Sequence, residues 1–396
     1  QLAEQYARGG RPVRALAYYQ RAAEVAASRF GHAEAVRLHE KALSVIAAMP
    51  AGRDRDSREL AVLEAMAAPL NARDGYSSKH LQRALERSIA LAESLGRTGS
   101  TVTGMAALGA SRFVQGRTAD SYQIANRALA LADAGSELSG SAHFVAGGAA
   151  LSLGMPAHGL GHLELAAELA SDAFLSIGSR PDIHSVAWAA HAQWLLGHDD
   201  DALACADSAI ATARASDPFN LALALAYGAV GDQMRGDLPR LRNTVAELRE
   251  LCNRYDLAYY REWGLILDGW SCPDGPRIDL AQQGIGNLKA AGSFARMPYW
   301  LSLLADLLTR DNQPDAARAT LDAALVAAQA HEDLWWLPEV MRLRAAHDGE
   351  EDAVARLRAA ARLASAHGSL ALLRRCERDL DAPGVRPAGP SVLPTA

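Results

Sequence analysis

Lysine is almost absent from this chain: only Lys41, Lys79 and Lys289 occur, and arginine carries nearly all the positive charge. None of the three follows a glycine, so no GxxxxGK[ST] loop can cradle phosphates here. Cysteine is scarce too. Cys205, Cys252, Cys272 and Cys376 lie far apart with no CxxC pair, which fits neither a zinc framework nor a disulfide scaffold and points to a reducing cytoplasm. No apolar run is long enough to cross a bilayer, and no stretch reads as a signal peptide. Helical pattern begins at once after Gln1, so the sequence is expected to be a piece of a longer protein. HExxH, GxSxG and EF-hand patterns are all missing, and with them the most readable routes to catalysis or calcium binding. The net charge is -6, and the arginines are interspersed with Asp and Glu. Phosphate neutralisation needs a clustered basic face, so no nucleic-acid partner is expected.

Alanine and leucine dominate, and β-branched residues are sparse. With 49% hydrophobic and 22% charged residues, the composition is that of a folded, helical chain. Self-similarity is the strongest signal. A helix ends in an apolar–Gly step, a short polar turn comes next, and a second helix carries small residues seven apart. Gly116, Ser121 and Ala128 show the phrase; so do Gly154, Gly159 and Ala166, and Gly197, Ala202 and Ala209. Anchored on the second helix, the units fall at Ala42, Ile89, Ala128, Ala166, Ala209, Leu248, Ile285, Ala324 and Ala360. The intervals centre near 39 residues, inside the range of two-helix solenoids. Small residues let paired helices approach closely, and apolar neighbours three and four apart build each buried stripe. Proline opens second helices at Pro12, Pro156, Pro239 and Pro314, where its missing N–H costs nothing. The expected fold is therefore all-α: a right-handed superhelical solenoid of about nine tetratricopeptide-like helical hairpins.

The chain divides into N-terminal hairpins over 1–49, a polar linker over 50–57, the repeat array over 58–380 and a Pro/Gly-rich tail over 381–396, expected to be disordered. Ser271-Cys-Pro-Asp-Gly-Pro-Arg277 interrupts the pattern and predicts a shortened or kinked hairpin.

Several phrases, in order, carry a resemblance. They are Ala15-Leu-Ala-Tyr-Tyr-Gln-Arg-Ala-Ala23, Ala33 to Leu43, Asp74-Gly-Tyr76, Trp194-Leu-Leu-Gly197, Asp217-Pro-Phe219, Gly269-Trp270 and Leu334-Trp-Trp-Leu337. Over roughly residues 1–380 the chain resembles the tetratricopeptide-like regions of large bacterial signal-transduction ATPases, often fused to a class III adenylate or guanylate cyclase or to a LuxR-type DNA-binding domain. The resemblance implies a regulatory arm downstream of a nucleotide-binding switch, with the ATPase and cyclase outside this segment.

Several residues that look functional have ordinary structural roles open to them. Gly159-Leu-Gly161 and Gly284-Ile-Gly286 lie in second helices and lack a third glycine, so close helix packing accounts for them better than phosphate binding. Asp199-Asp200-Asp201 precedes a helix, where carboxylates favour the dipole. His184 and His191 sit two helical turns apart, about 10 Å, too far to share one metal ion. No metal and no cofactor is expected. If first helices line the concave face, Trp188, Trp194, Tyr227, Tyr260, Trp263, Trp270 and Tyr299 face a groove, with His184, His191, Gln233 and Asp306 as polar handles. Such a surface grips a peptide, a helix or a small ligand; the alternative is that the rings fill the core between repeats.

This pattern is compatible with three functions. The first is a non-catalytic module that binds a protein partner or other domains of its parent. The second is a small-molecule effector sensor, and the remote third is an enzyme with a site in the superhelix.

Overall fold

The computed structural model describes residues 2–133, 135–169, 175–272, 275 and 277–382. Among them lie twenty helices and no strand. In chain order they are α1 (Leu2–Arg8), α2 (Pro12–Ser28), α3 (His32–Ala47), α4 (Arg53–Asp74), α5 (Lys79–Leu95), α6 (Thr98–Val114) and α7 (Thr118–Leu131). Next come α8 (Glu137–Ser152), α9 (Pro156–Leu169), α10 (Pro181–Leu196), α11 (Asp199–Arg214), α12 (Pro218–Arg235), α13 (Leu238–Tyr255) and α14 (Ala258–Ser271). The rest are α15 (Ile278–Ala290), α16 (Met297–Arg310), α17 (Pro314–Ala330), α18 (Leu337–Ala345), α19 (Glu350–Ala366) and α20 (Leu370–Asp381).

Every sequence anchor falls on an odd-numbered helix from α3 to α19, and each helix packs on its neighbours in chain order. The odd helices are amphipathic. On α11 the buried residues are Ala202, Ala206, Ala209 and Ala213, and on α17 they are Ala317, Leu321, Ala324 and Ala328. Each set is one stripe at helical spacing, with solvent on the other side. Even helices from α6 to α20 also touch the next even helix, so they form the inner layer. Most are buried nearly all round, as on α12, where the run from Ala222 to Asp232 is unbroken; α20, the last of them, buries only Leu372 and Cys376. Most Pro positions open outer helices as expected, but Pro12 opens α2, an inner-series helix in this register.

Glycine sets the closest approach. A Cβ on Gly159 of α9 would sit 2.8 Å from the Gly147 carbonyl oxygen of α8, and Gly284 meets the Glu262 carbonyl at 2.8 Å. Packing thus explains the first glycine of each phrase, while Gly161 and Gly286 face open space. Gly159→Ala is expected to destabilise the fold by about 1–3 kcal/mol in a denaturant titration, since backbone must move to admit the methyl.

Two irregular stretches stand out, one differing from expectation and one in keeping with it. The polar linker over 50–57 is shorter than the sequence implied, because α4 begins at Arg53; Asp54 and Asp56 sit in its first turn, where the helix dipole favours them. Around 271–277, α14 stops at Ser271 and α15 starts at Ile278, and both are short helices. Of the tail expected over 381–396, residues 383–396 lie outside the described part.

The superhelix is tight enough to meet itself. α4 touches α14, and α10 touches α20, ten helices apart in each case. The contacts are specific. Phe294 and Ala295 donate their N–H groups to the Val114 carbonyl at the end of α6. Leu334 and Trp335 do the same to Ser152 at the end of α8. Ser77 Oγ lies 2.7 Å from Ser293 Oγ, and Thr118 Oγ1 donates to the His331 carbonyl. The connections before α16 and α18 therefore clasp the connections after α6 and α8, fastening the second coil to the first.

Candidate functional site

All eleven candidate residues sit on the inner helices: four on α10, two on α12, three on α14 and two on α16. The expected groove is the part that needs correction. Because the coils close on one another, most of these side chains face a sealed interior: Trp188 is 3% exposed, Trp263 1% and Tyr299 0%. The eleven separate into three groups along the superhelix axis.

His184, Trp188, Tyr227 and Tyr260 surround a cavity of about 20 Å³ together with Tyr76, Phe113 and Phe144. That is room for about one water molecule. Burial depresses the His184 imidazole to about 3, so it is neutral, and it stacks on Trp188 with ring centroids 5.3 Å apart.

The middle group, His191, Trp263 and Tyr299, is closed off by a residue the sequence did not single out. Arg296 is 1% exposed. Its backbone is left-handed at φ 61° in the connection before α16, which turns the side chain into the channel. The guanidinium carbon lies 4.9 Å from the rings of Tyr227 and Trp335 and 5.5 Å from Trp263. A desolvated cation among ring faces gains about 2 kcal/mol or more per favourable contact. Arg296 Nη2 donates to His191 Nδ1 at 3.1 Å. Arginine cannot accept, so Nδ1 is the acceptor and Nε2–H donates to the Tyr227 carbonyl at 2.8 Å, which fixes the tautomer. Burial and the nearby Arg296 push the His191 pKa well down.

The Arg296 amide in turn donates to Asp333 Oδ2 at 2.6 Å. Asp333 is buried, and burial raises its carboxyl to about 7 despite Arg296 beside it. The folded pKa therefore exceeds the unfolded one. The folded chain binds this proton more tightly, so the contribution is complete below the unfolded carboxyl range and is lost as pH rises through about 7. Asp333→Asn is expected to flatten the fall in stability between about pH 4 and 7, read from melting temperatures across that range.

The third group is open. Trp194, Gln233, Trp270 and Asp306 line a cavity of about 500 Å³ where α10, α12 and α14 end and α16, α18 and α20 pass. Its walls come from both coils. Five arginines and three carboxylates line it. Glu339 accepts both Arg342 donors at 2.9 and 3.0 Å and Arg375 Nη1 at 2.7 Å. Burial pushes Glu339 up, but Arg342 and Arg375 outweigh it and hold the carboxyl at about 2. Arg375 Nη2 crosses to the Met234 carbonyl of α12 at 2.7 Å, and its guanidinium lies 4.9 Å from the Trp194 ring centroid. Trp270 Nε1 donates to Asp306 Oδ2 at 2.6 Å, Arg310 pairs with the same oxygen, and burial raises the Asp306 pKa.

Arg296, Asp333, Glu339 and Arg375, together with Trp336, which lines the open cavity beneath the Arg375 guanidinium, are not among the residues expected from the sequence. A usable signal was present: Arg296-Met-Pro298 and Trp336-Leu-Pro338 repeat at the same place in successive hairpins. The acidic triplet Asp199-Asp200-Asp201 occupies the first turn of α11. Among the described residues, no group of three His, Cys, Asp or Glu side chains is arranged to hold a metal ion. No helix among them is long and apolar enough to cross a membrane.

No family model matches the chain. A protein of Rhizobium meliloti (strain 1021), named as uncharacterized, is 29% identical over 204 residues. That match covers 48% of this chain and 20% of the relative, so it spans about a fifth of the relative's length. Among solved structures, a Rap protein complexed with Competence and Sporulation Factor aligns at TM-score 0.55 and 11% identity, over 92% of this chain and 96% of that one. The APC/C hetero-tetramer Cut9-Hcn1 aligns at TM-score 0.42 and 14% identity, over 94% and 74%. The chain has the fold of a tetratricopeptide-type helical solenoid.

Proposed function

We propose that this chain is a non-catalytic binding and regulatory module, acting on a protein partner or on other domains of its parent, with the open end cavity as its effector site. The observation that carries the reading is the position of that cavity. It is roomy, polar and aromatic, while the inner face beside it is sealed, and its walls belong to two coils that backbone and side-chain clasps hold together. A ligand bridging α12 and α20 stabilises the closed superhelix relative to an opened one and so shifts the population presented to a partner. The bacterial signalling-ATPase context implied by the sequence phrases fits this arrangement. The Rhizobium meliloti match, confined to a fifth of a longer protein, supports a module within a larger chain. Four cysteines, none paired, suit a reducing cytoplasm.

The test has two parts. A thermal-shift screen against metabolites finds ligands of the folded state, because binding raises the melting temperature. Pull-down of the parent's remaining domains, with and without a hit, then reads the coupling. The proposal fails if no compound shifts the melt and no domain is retained under any condition.

A further inference from the structure

We infer that the end cavity receives a small dianion, a metabolite bearing carboxylate or phosphate groups, and that Arg374 and Arg378 are the residues that recognise it. The inference rests on the cavity being the effector site.

Helix α20 supplies the basic wall. Ala371, Arg374, Arg375 and Arg378 fall three and four residues apart, hence on one helix face, and all four line the cavity. Most other charges there are already used. Arg375 and Arg342 share Glu339, and Arg342 also reaches Asp379 at 2.6 Å. Arg235 pairs with Asp232, while Asp306 is taken by Trp270 and Arg310. Arg374 and Arg378 are exposed and have no ion-pair or hydrogen-bond partner among the described residues. Asp199, across the cavity, is the remaining lining carboxylate without one. Two like charges four apart on a helix repel, an arrangement that costs the isolated helix and is relieved when an anion sits between them.

Helix ends do not account for the two arginines. α10 and α12 both finish on this cavity, but four of their last-turn carbonyls are answered by backbone and that of Met234 by Arg375. Gly197 and His198 donate to Trp194 and Gln193, and Gly236 and Asp237 donate to Gln233 and Asp232. The local excess of positive charge also runs against a chain whose net charge is -6.

The cavity's size and chemistry set the ligand class. At about 500 Å³ it is far larger than a single inorganic ion and falls in the range of metabolite sites. Guanidinium forks bind carboxylate and phosphate in two-pronged fashion. The Gln233 carboxamide has its oxygen engaged by the Tyr299 hydroxyl at 2.8 Å, which leaves its NH2 group as a neutral donor on the wall.

The experiment uses the full chain and matched probes: succinate against succinamide for the carboxylate arm, and fructose 6-phosphate against fructose for the phosphate arm. Binding is read by calorimetry and melting temperature at constant ionic strength. At least one anion is expected to bind while its neutral counterpart does not. The double substitution Arg374→Gln, Arg378→Gln is expected to weaken that anion about tenfold or more without lowering the unliganded melting temperature. Arg127→Gln, exposed on α7, serves as control and leaves binding unchanged. Neutral analogues binding as tightly as anions, or full binding by the double variant, overturns the anion inference and leaves the cavity as a binding site. If no probe of either kind binds, the inference falls, and the metabolite screen decides separately whether the cavity binds anything.

Discussion

Trp263→Ala is expected to lower the unfolding free energy by about 3–5 kcal/mol, the loss typical of a large ring removed from a packed interior. Trp263 meets Tyr227, Tyr259, Tyr260 and Trp300 with centroids 5.0 to 5.7 Å apart, and Arg296 lies over it. Truncation leaves a void at the crossing of α12, α14 and α16 and removes one of the faces that solvate the Arg296 charge. A urea titration followed by far-UV circular dichroism measures the effect. A loss below about 1 kcal/mol would place the ring in an open groove.

The second large effect concerns the buried charge network of α18 and α20. Glu339→Ala is expected to cost about 3–5 kcal/mol, because it leaves Arg342 and Arg375 buried or half-buried without their shared carboxylate. Glu339 is 4% exposed and Arg342 6%. Asp379 remains to answer Arg342, at 2.6 Å, but it does not reach Arg375 in the structure. Glu339→Gln separates charge from shape. It keeps an acceptor for one arginine while removing the negative charge, so it should fall between wild type and the alanine variant. Because Glu339 is held at about 2, its contribution is present at neutral pH and fades only as pH falls toward that value.

Much of the fold was legible in the sequence because a repeat writes its contacts locally. Small residues seven apart mark where outer helices nest, and Ala128, Ala166, Ala209 and Ala324 are all buried there. The inner helices could be recognised as the partners of the outer ones, and the candidate aromatics do lie on them. Whether they face solvent depends instead on the pitch of the superhelix. Pitch is set by contacts such as Phe294 to Val114 and Leu334 to Ser152, which join residues far apart in the chain and leave no mark on local periodicity. The same limit hid Arg296. A left-handed arginine before a Met-Pro step is an ordinary turn in the sequence, and only the returning coil makes it the stopper of a ring-lined channel.

That returning coil is most directly tested by joining Ser77 to Ser293. These hydroxyls lie 2.7 Å apart although 216 residues separate them in the chain. Cysteines at both positions should oxidise to a disulfide in the native protein, since the side chains already meet at bonding range. Mass spectrometry of the digested double variant Ser77→Cys, Ser293→Cys should find the two peptides linked, with helicity unchanged and the melting temperature raised. Two freely alkylated thiols in the folded protein, with no linked peptide, would mean that the coils stand apart and the interior is open.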